Sequence, residues 1–288
     1  MGFIQVWDRV KSLAIELEKI GVEEPQIESE IFLSDLLGIP RSQLVICDPI
    51  NLTEAQDSKI QNFLIKRKKR IPIQHILGNW NFYGLDFLVN ENVLIPRPET
   101  EGLVEIISEW IQLHKSEHQL VGLDWGTGSG CIPVSLLSHH NEIKMKAVDI
   151  SGAALAIAQI NARNHRVDDR LELFQSDGLA SVSLDSPIDF FVSNPPYIRT
   201  SEISSLAAEV KDHDPIVALD GGSSGIEYYQ KIFDDLHGMS VIPKFFAMEI
   251  GADQGPQLME LFNPMKQFRI KIQNDLLGRD RYLVGELN

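Results

Sequence analysis

Cysteine is nearly absent from this sequence. The two that occur among 288 residues, Cys47 and Cys131, lie far apart and form no paired motif. That spacing offers no disulfide framework, redox pair or metal knuckle. Two free thiols in a reducing compartment, the cytoplasm, are expected, and no metal site is expected. Long apolar runs are also missing. No stretch approaches the roughly 18 unbroken residues of a membrane helix, yet 43% hydrophobic residues suffice for a sizeable core. The start, Met1-Gly2-Phe3-Ile4-Gln5-Val6, has no basic region or small-residue cleavage site. Val6 stands where a myristoylation signal requires Ser or Thr. Positive charge is in deficit. Twenty-six Lys and Arg face 41 Asp and Glu, a net charge of −15. A broad grip on a phosphate backbone is therefore disfavoured, and direct nucleic-acid binding is not expected. Internal repeats and low-complexity tracts are missing as well.

Helical periodicity fills the first quarter. Ile4, Trp7, Val10, Leu13, Leu17 and Ile20 share one face of a helix over 3–20. Pro25 opens a second helix that Gly38 stops. Thr53-Glu54-Ala55-Gln56 reads as a capping box. The helix it starts ends in Lys66-Arg67-Lys68-Lys69-Arg70, taken here as a solvated helix end whose cations suit the dipole. Residues 1–72 form a helical domain on this reading. From Ile73 to Ile95 alternating apolar residues around turn formers predict a connecting β-hairpin. Pro96, Pro98 and a Thr100 cap then announce a helix through Leu103, Val104 and Ile107. Residues 96–288 alternate strands and helices, which predicts a mostly parallel sheet covered by helices, closed by an antiparallel pair at the tail.

Ser193-Asn194-Pro195-Pro196-Tyr197 follows the apolar run Ile188-Asp189-Phe190-Phe191-Val192. Two successive prolines cannot continue a sheet ladder, and they pin Asn194 in an extended conformation at the strand end. The Asn oxygen and a proline-side carbonyl then face one point beside the Tyr197 ring. That arrangement suits a planar –NH2 group, with two acceptors for two hydrogens and an aromatic wall for its plane. Upstream, the strand Val121–Asp124 enters Gly126-Thr127-Gly128-Ser129-Gly130. The spacing differs from the dinucleotide fingerprint and from a P-loop. Asp149 ends the next strand, where a carboxylate can accept from both ribose hydroxyls. Asp177 follows the third, where it can accept from an adenine amino group while the Gly178 N–H donates to a ring nitrogen. All lie at carboxyl ends of strands, where open α/β sheets bind ligands. Each Asp alone equally suits a cap or turn; in this order they point to an adenosine-containing ligand.

This set resembles the S-adenosyl-L-methionine-dependent methyltransferases that act on planar nitrogens. Within them, the chain is similar to the PrmC/HemK family of peptide chain release factor glutamine methyltransferases. The matching segments are Pro72-x-Gln74-His75-x-x-Gly78, Leu94 to Glu101, Asp124 to Gly130, Ser193 to Ile198 and Ala218-Leu219-Asp220-Gly221-Gly222. Gly178, Pro133 and Asp214-Pro215 depart from frequent family choices. The resemblance implies a Rossmann-like, seven-stranded α/β methyltransferase domain joined by the hairpin to a small helical substrate-recognition domain. It implies S-adenosyl-L-methionine bound by Gly126, Thr127, Gly128, Ser129, Gly130, Asp149, Asp177, Gly178 and Asn194. It implies catalysis at Asn194, Pro195, Pro196 and Tyr197 on the glutamine of a Gly-Gly-Gln loop in class 1 release factors. No clear general base stands out, and His75 and His213 read as structural. Asn-Pro-Pro-Tyr also occurs in adenine-N6 methyltransferases of nucleic acids, which would flip a base into the same pocket. A binding module with a vestigial cofactor site is the non-enzymatic alternative.

Overall fold

The protein is described here from a computed structural model covering residues 5–114, 119–182, 184 and 187–288. Phe3 and Ile4 of the expected first helix lie outside the described residues. The elements run α1 (Val6–Lys19), α2 (Pro25–Leu37), α3 (Glu54–Lys68), α4 (Ile73–Leu77), β1 (Asn79–Phe82), β2 (Leu85–Leu88), α5 (Pro98–Leu113), β3 (Leu120–Trp125), α6 (Cys131–His139), β4 (Ile143–Asp149) and α7 (Gly152–Asn164). They continue with β5 (Leu171–Gln175), β6 (Phe190–Ser193), α8 (Ala208–Lys211), α9 (Glu227–Gly238), β7 (Phe245–Glu249), α10 (Gly255–Phe262), β8 (Phe268–Asn274) and β9 (Asp280–Leu287). The chain forms two compact units. One comprises residues 1–78 with 208–213; the other comprises 79–207 with 214–288.

The helical unit follows its local signals. Pro25 occupies the first turn of α2, and Gly38 ends it in the left-handed region. Thr53 caps α3 through a reciprocal box with Gln56. Val10, Leu13, Leu17, Leu33, Ile60 and Phe63 meet in one core, where Phe32 and Phe63 stack with centroids 3.9 Å apart. The basic end of α3 is solvated only in part: Lys68 and Lys69 are exposed, as expected from composition, but Arg67 is not. Arg67 is buried. Its guanidinium donates to both oxygens of Glu28 at 2.7 and 2.9 Å, to the Ile71 carbonyl at 2.7 Å and to Glu209 at 3.2 Å. Arg70 donates to the other Glu209 oxygen at 2.8 Å. Residues 208–213 thus join this unit through an ion network.

In the second unit a seven-stranded sheet runs β5-β4-β3-β6-β7-β9-β8. The pairs from β5 to β7 are parallel, and β9 pairs antiparallel to β7 and β8. The inner strands β6 and β7 are buried along their whole length because helices cover both faces. One core holds Leu103, Ile107, Val134 and Phe190; the other holds Phe191, Ile232, Phe246 and Leu258. The hairpin is shorter than the 73–95 expected, with residues 73–77 helical and the strands confined to 79–88. Phe82 and Phe87 bury themselves in the first of these cores, so the hairpin belongs to the sheet unit. Asn161 of α7 fixes it there: its Oδ1 accepts from the Leu88 N–H at 2.8 Å, and its Nδ2 donates to the Leu88 and Ser129 carbonyls at 3.1 and 2.9 Å.

Candidate active site

The carboxyl ends of β3, β4, β5 and β6 open onto one pocket, at the place where chain order runs outward from β3 in both directions. It holds about 690 Å3 of space that is continuous with solvent. Of the residues singled out in the sequence, Gly126, Gly128, Asp149, Asp177, Gly178, Asn194 and Pro196 line it. Thr127, Ser129, Gly130, Pro195 and Tyr197 do not.

The glycine loop explains this split. Gly126 and Gly128 have φ of +77° and +54°, conformations that L side chains rarely adopt. A Cβ on either would meet nothing within 4 Å. The loop therefore turns bare backbone toward the pocket. Thr127 and Ser129 turn inward and are buried. Gly130 packs against α7, where a Cβ would come within 3.0 Å of Ala158 Cβ. The loop is tied to β4 by Gly126 and Thr127 N–H groups donating to the Val148 carbonyl at 2.8 and 3.0 Å.

Asp149 is less free than its position at a strand end suggested. Oδ2 accepts from the Gly128 N–H and Oδ1 from the Ser151 N–H, both at 2.8 Å. These two bonds fix the plane of the carboxylate and leave one lone pair on each oxygen for a ligand. Burial pushes its pKa up, while the backbone donors oppose the shift. Asp177 is exposed and accepts from the Lys231 ammonium. Gly178, with φ of +77°, leaves room that Asp235 and Lys231 fill; a Cβ would lie 2.7 Å from Asp235 Oδ2. Asp235 in turn accepts from the Trp125 indole N–H at 3.0 Å. Trp125, Ser176 and Tyr228 complete the wall beside Gly178. None of the three carries a motif that sequence reading could have used.

Asp124 lies beneath the loop, fully buried. Neither of its oxygens makes a hydrogen bond, and neither does Thr127 Oγ1. Burial pushes its carboxyl up to about 7, with the nearby Asp149 charge adding and the neighbouring Thr127 hydroxyl opposing. Two acids, Asp124 and Asp149, thus stand at one loop whose exposed surface is backbone. This donor and acceptor set fits a cationic, ribose-bearing ligand. S-adenosyl-L-methionine matches it.

At the end of β6, Ser193 donates to the Trp125 carbonyl at 2.6 Å, locking the strand that leads to the glycine loop to the strand that leads to Asn194. Asn194 Nδ2 donates to Thr100 Oγ1 at 3.0 Å. Thr100 is not the cap expected of it. Arg97 occupies the N-cap of α5, and Thr100 is a buried residue of the first turn. Its hydroxyl donates to Glu249 Oε2 at 2.7 Å. The Tyr197 hydroxyl donates to the other Glu249 oxygen at 3.3 Å. The Tyr197 ring lines a neighbouring cleft with Arg199, Gln254 and Arg281, so the motif is shared between two clefts.

The backbone after Asn194 is clamped by partners far away in sequence. Gln254 donates to the Tyr197 carbonyl at 3.0 Å, and the Gly221 N–H donates to the Ile198 carbonyl at 2.8 Å. A Cβ on Gly221 would sit 2.7 Å from Tyr197 Cα. Gly221 therefore permits backbone-to-backbone packing against the motif. His75 and His213 both lie in the helical unit, and neither lines the pocket. Cys47 and Cys131 are free thiols, and burial pushes Cys131 up to about 12.

Comparison with known proteins agrees with this arrangement. A family model of the PrmC N-terminal domain matches residues 10–78, and one of the methyltransferase small domain matches residues 106–211. A release factor glutamine methyltransferase from Caulobacter vibrioides is 33% identical over 288 residues, spanning 100% of this chain and 97% of its own length. One from Aquifex aeolicus is 35% identical over 271 residues, 94% of each chain. Among solved structures, the human METTL16 catalytic domain in complex with the MAT2A 3′UTR hairpin 6 aligns with a TM-score of 0.59 at 15% identity, covering 83% of this chain and 84% of that one. The N-terminal domain of human METTL16 in complex with SAH aligns with a TM-score of 0.54. At that identity the likeness is one of fold alone, a methyltransferase fold. The full-length relatives decide more: the chain belongs to the release factor glutamine methyltransferase family.

Proposed function

We propose that the protein transfers a methyl group from S-adenosyl-L-methionine to the side-chain amide nitrogen of the glutamine in the Gly-Gly-Gln loop of class 1 release factors. The observation that carries this reading is the placement of Asn194. It lines the same pocket as Gly126, Gly128 and Asp149, and its NH2 group is already engaged by Thr100. Its Oδ1 is then the end available to accept from a substrate N–H.

The cofactor supplies an electrophilic methyl group on a sulfonium. Gly126 and Gly128 give its amino-acid end close access to backbone, Asp149 accepts from the ribose hydroxyls, and Asp177 with Gly178 borders the adenine. An amide nitrogen is a poor nucleophile because its lone pair is delocalised into the carbonyl. The protein's work is therefore positioning and electrostatics. Asn194 Oδ1 accepts one N–H hydrogen of the glutamine, and the carbonyl of Pro195, a buried residue next to the pocket and not part of its lining, is the second acceptor in this reading. That aims the nitrogen and stabilises the positive charge that grows on it. Pro196 holds the geometry rigid, and Tyr197 flanks the amide plane from the adjoining cleft. The proton released after transfer goes to water.

The helical unit recognises the body of the release factor, because the residues assigned here to cofactor and amide all lie in the other unit. A Gly-Gly-Gln loop alone buries little of the roughly 1,200–2,000 Å2 usual in a stable specific complex. Cutting the chain at Ile73 would also strip Glu209 of Arg67 and Arg70, so a surface substitution is the cleaner probe. Ile46, 78% exposed on the helical unit, is one such position. Ile46→Asp is expected to raise KM for intact release factor and to leave a short Gly-Gly-Gln peptide unaffected.

An adenine-N6 activity would use the same two acceptors, but the net charge of −15 opposes a nucleic-acid substrate. The deciding experiment incubates the protein with labelled S-adenosyl-L-methionine and, separately, release factor, duplex DNA and an RNA hairpin. Label on release factor, lost when its Gly-Gly-Gln glutamine is replaced, is expected. Label on nucleic acid alone would overturn the reading. Failure to bind the cofactor by calorimetry would favour a vestigial site.

A further inference from the structure

An asparagine amide has two unlike ends. The oxygen accepts hydrogen bonds and the NH2 donates them. If the NH2 faced the substrate, two donors would confront one another and the acceptor required by the reaction would be lost. Something must therefore decide which end of Asn194 looks into the pocket. The Asn-Pro-Pro-Tyr sequence does not: its prolines fix the backbone, and the side-chain torsion nearest the amide is roughly two-fold.

The decision lies in a chain of three buried groups. Glu249, the last residue of β7, is 1% exposed. An ionised carboxylate only accepts. Its Oε2 lies 2.7 Å from Thr100 Oγ1, and its Oε1 takes the Tyr197 hydroxyl at 3.3 Å. Thr100 has one hydroxyl hydrogen, and the carboxylate takes it. Thr100 Oγ1 is left with lone pairs only. The Asn194 atom 3.0 Å away must then be Nδ2, the donor. Oδ1 is turned the other way. Direction is passed from carboxylate to hydroxyl to amide.

We propose that Thr100 and Glu249 are positioning residues that set the polarity of the Asn194 amide, and so make the site selective for a planar –NH2 donor. This rests on the methyl-transfer reading above. Neither residue has an adequate structural task at these atoms. The Thr100 hydroxyl caps nothing, since its own N–H is satisfied by the Arg97 carbonyl at 3.1 Å and Arg97 is the N-cap. Thr100 is 2% exposed and Glu249 is walled in by β7 and its neighbours, so neither serves solubility. Burying a carboxylate is costly unless it is hydrogen-bonded. Desolvation does push the Glu249 carboxyl up, while the Thr100 and Tyr197 hydroxyls and the Arg281 charge oppose it. Glu99, Tyr229 and Tyr282 also face this site. The polar group is retained in a position where a leucine would pack.

The test uses the full chain, intact release factor and S-adenosyl-L-methionine, with single-turnover rates and calorimetric cofactor binding. Thr100→Val keeps the shape and removes the hydroxyl. The expected result is a rate on the order of 10²-fold lower, the scale of a misplaced reactive group, with the cofactor dissociation constant unchanged. Thr100→Ser restores the hydroxyl and is expected to stay within a few-fold of wild type. Glu249→Gln approaches from the other end and does not depend on Thr100→Val folding. A neutral amide can offer Thr100 either end, so the rate is expected to fall while cofactor binding holds. Wild-type rates in Thr100→Val or Glu249→Gln would overturn the proposal. So would equal losses in the Ser and Val variants, or a loss of cofactor affinity that matches the loss of rate. The parent reading fails separately: wild-type protein would then transfer no methyl to release factor.

Discussion

Arg67 in the helical unit and Asp124 in the sheet unit are both charge-bearing groups buried deep inside, and the two are treated in opposite ways. In the helical unit every nitrogen of the Arg67 guanidinium is engaged, by Glu28, Glu209 and the Ile71 carbonyl. In the sheet unit Asp124 is sealed beneath the glycine loop, where neither oxygen makes a well-formed hydrogen bond and only the neighbouring Thr127 hydroxyl eases its burial. A satisfied charge serves folding: it holds residues 208–213 to the helices. An unsatisfied one raises the energy of the folded state and is kept where a ligand of opposite charge is to be held. At these two groups the contrast distinguishes a structural charge from one at the pocket; Glu249, buried and hydrogen-bonded beside Asn194, shows that a satisfied charge can also serve the site.

Substitution at Asp124 is the strongest way to break that contrast. Its folded-state carboxyl sits near pKa 7 against 3.8 for the free side chain. The folded protein therefore keeps a proton that the unfolded chain releases, and stability is lost as pH rises from about 4 through about 7. Asp124→Asn removes this loss. Relative to wild type its unfolding free energy should climb by about 4 kcal/mol between about pH 4 and 8, as read from urea titrations. A constant difference would mean that the carboxylate is already compensated. Arg67→Ala probes the other side of the comparison. It leaves Glu28 and Glu209 facing one another without their shared cation, and a loss of about 3 kcal/mol is expected. An unchanged urea midpoint would refute the structural role.

Smaller effects belong to the pocket. Asp149→Ala should weaken cofactor binding by about 1.5–3 kcal/mol, the range for hydrogen bonds to a charged group, as measured by calorimetry. An unchanged dissociation constant would reduce Asp149 to an anchor for the Gly128 and Ser151 N–H groups. Tyr197→Phe removes only the long 3.3 Å bond to Glu249. It should cost about 1 kcal/mol of stability or less and leave the aromatic face in place, so turnover should stay near wild type.

Much of the pocket's lining was legible because its signals are local. The prolines after Asn194, the glycines after Asp124, the acid that ends β4 and the one just past β5 are placed by neighbours a few residues away. Caps at Pro25, Thr53 and Gly38 were legible for the same reason. What escaped was set by partners distant in sequence. Thr100 carries the signature of a cap, but Glu249 lies 149 residues on and takes its hydroxyl. Arg67 belongs to a basic run that looks solvated, yet its partners stand 39 and 142 residues away. Asn161, Gln254 and Tyr228 match no motif, and only the folded backbone shows what they hold. The hairpin reads as a linker because Phe82 and Phe87 give no hint of which core receives them.

The central claim is that Asn194 acts on the substrate amide and not on folding or cofactor. The most direct measurement is the single-turnover methylation rate of release factor by Asn194→Ala, paired with calorimetry of S-adenosyl-L-methionine binding to the same protein. Methyl transfer should be abolished while the cofactor dissociation constant stays close to that of wild type. A wild-type rate, or a rate lost only in proportion to cofactor affinity, would contradict the account.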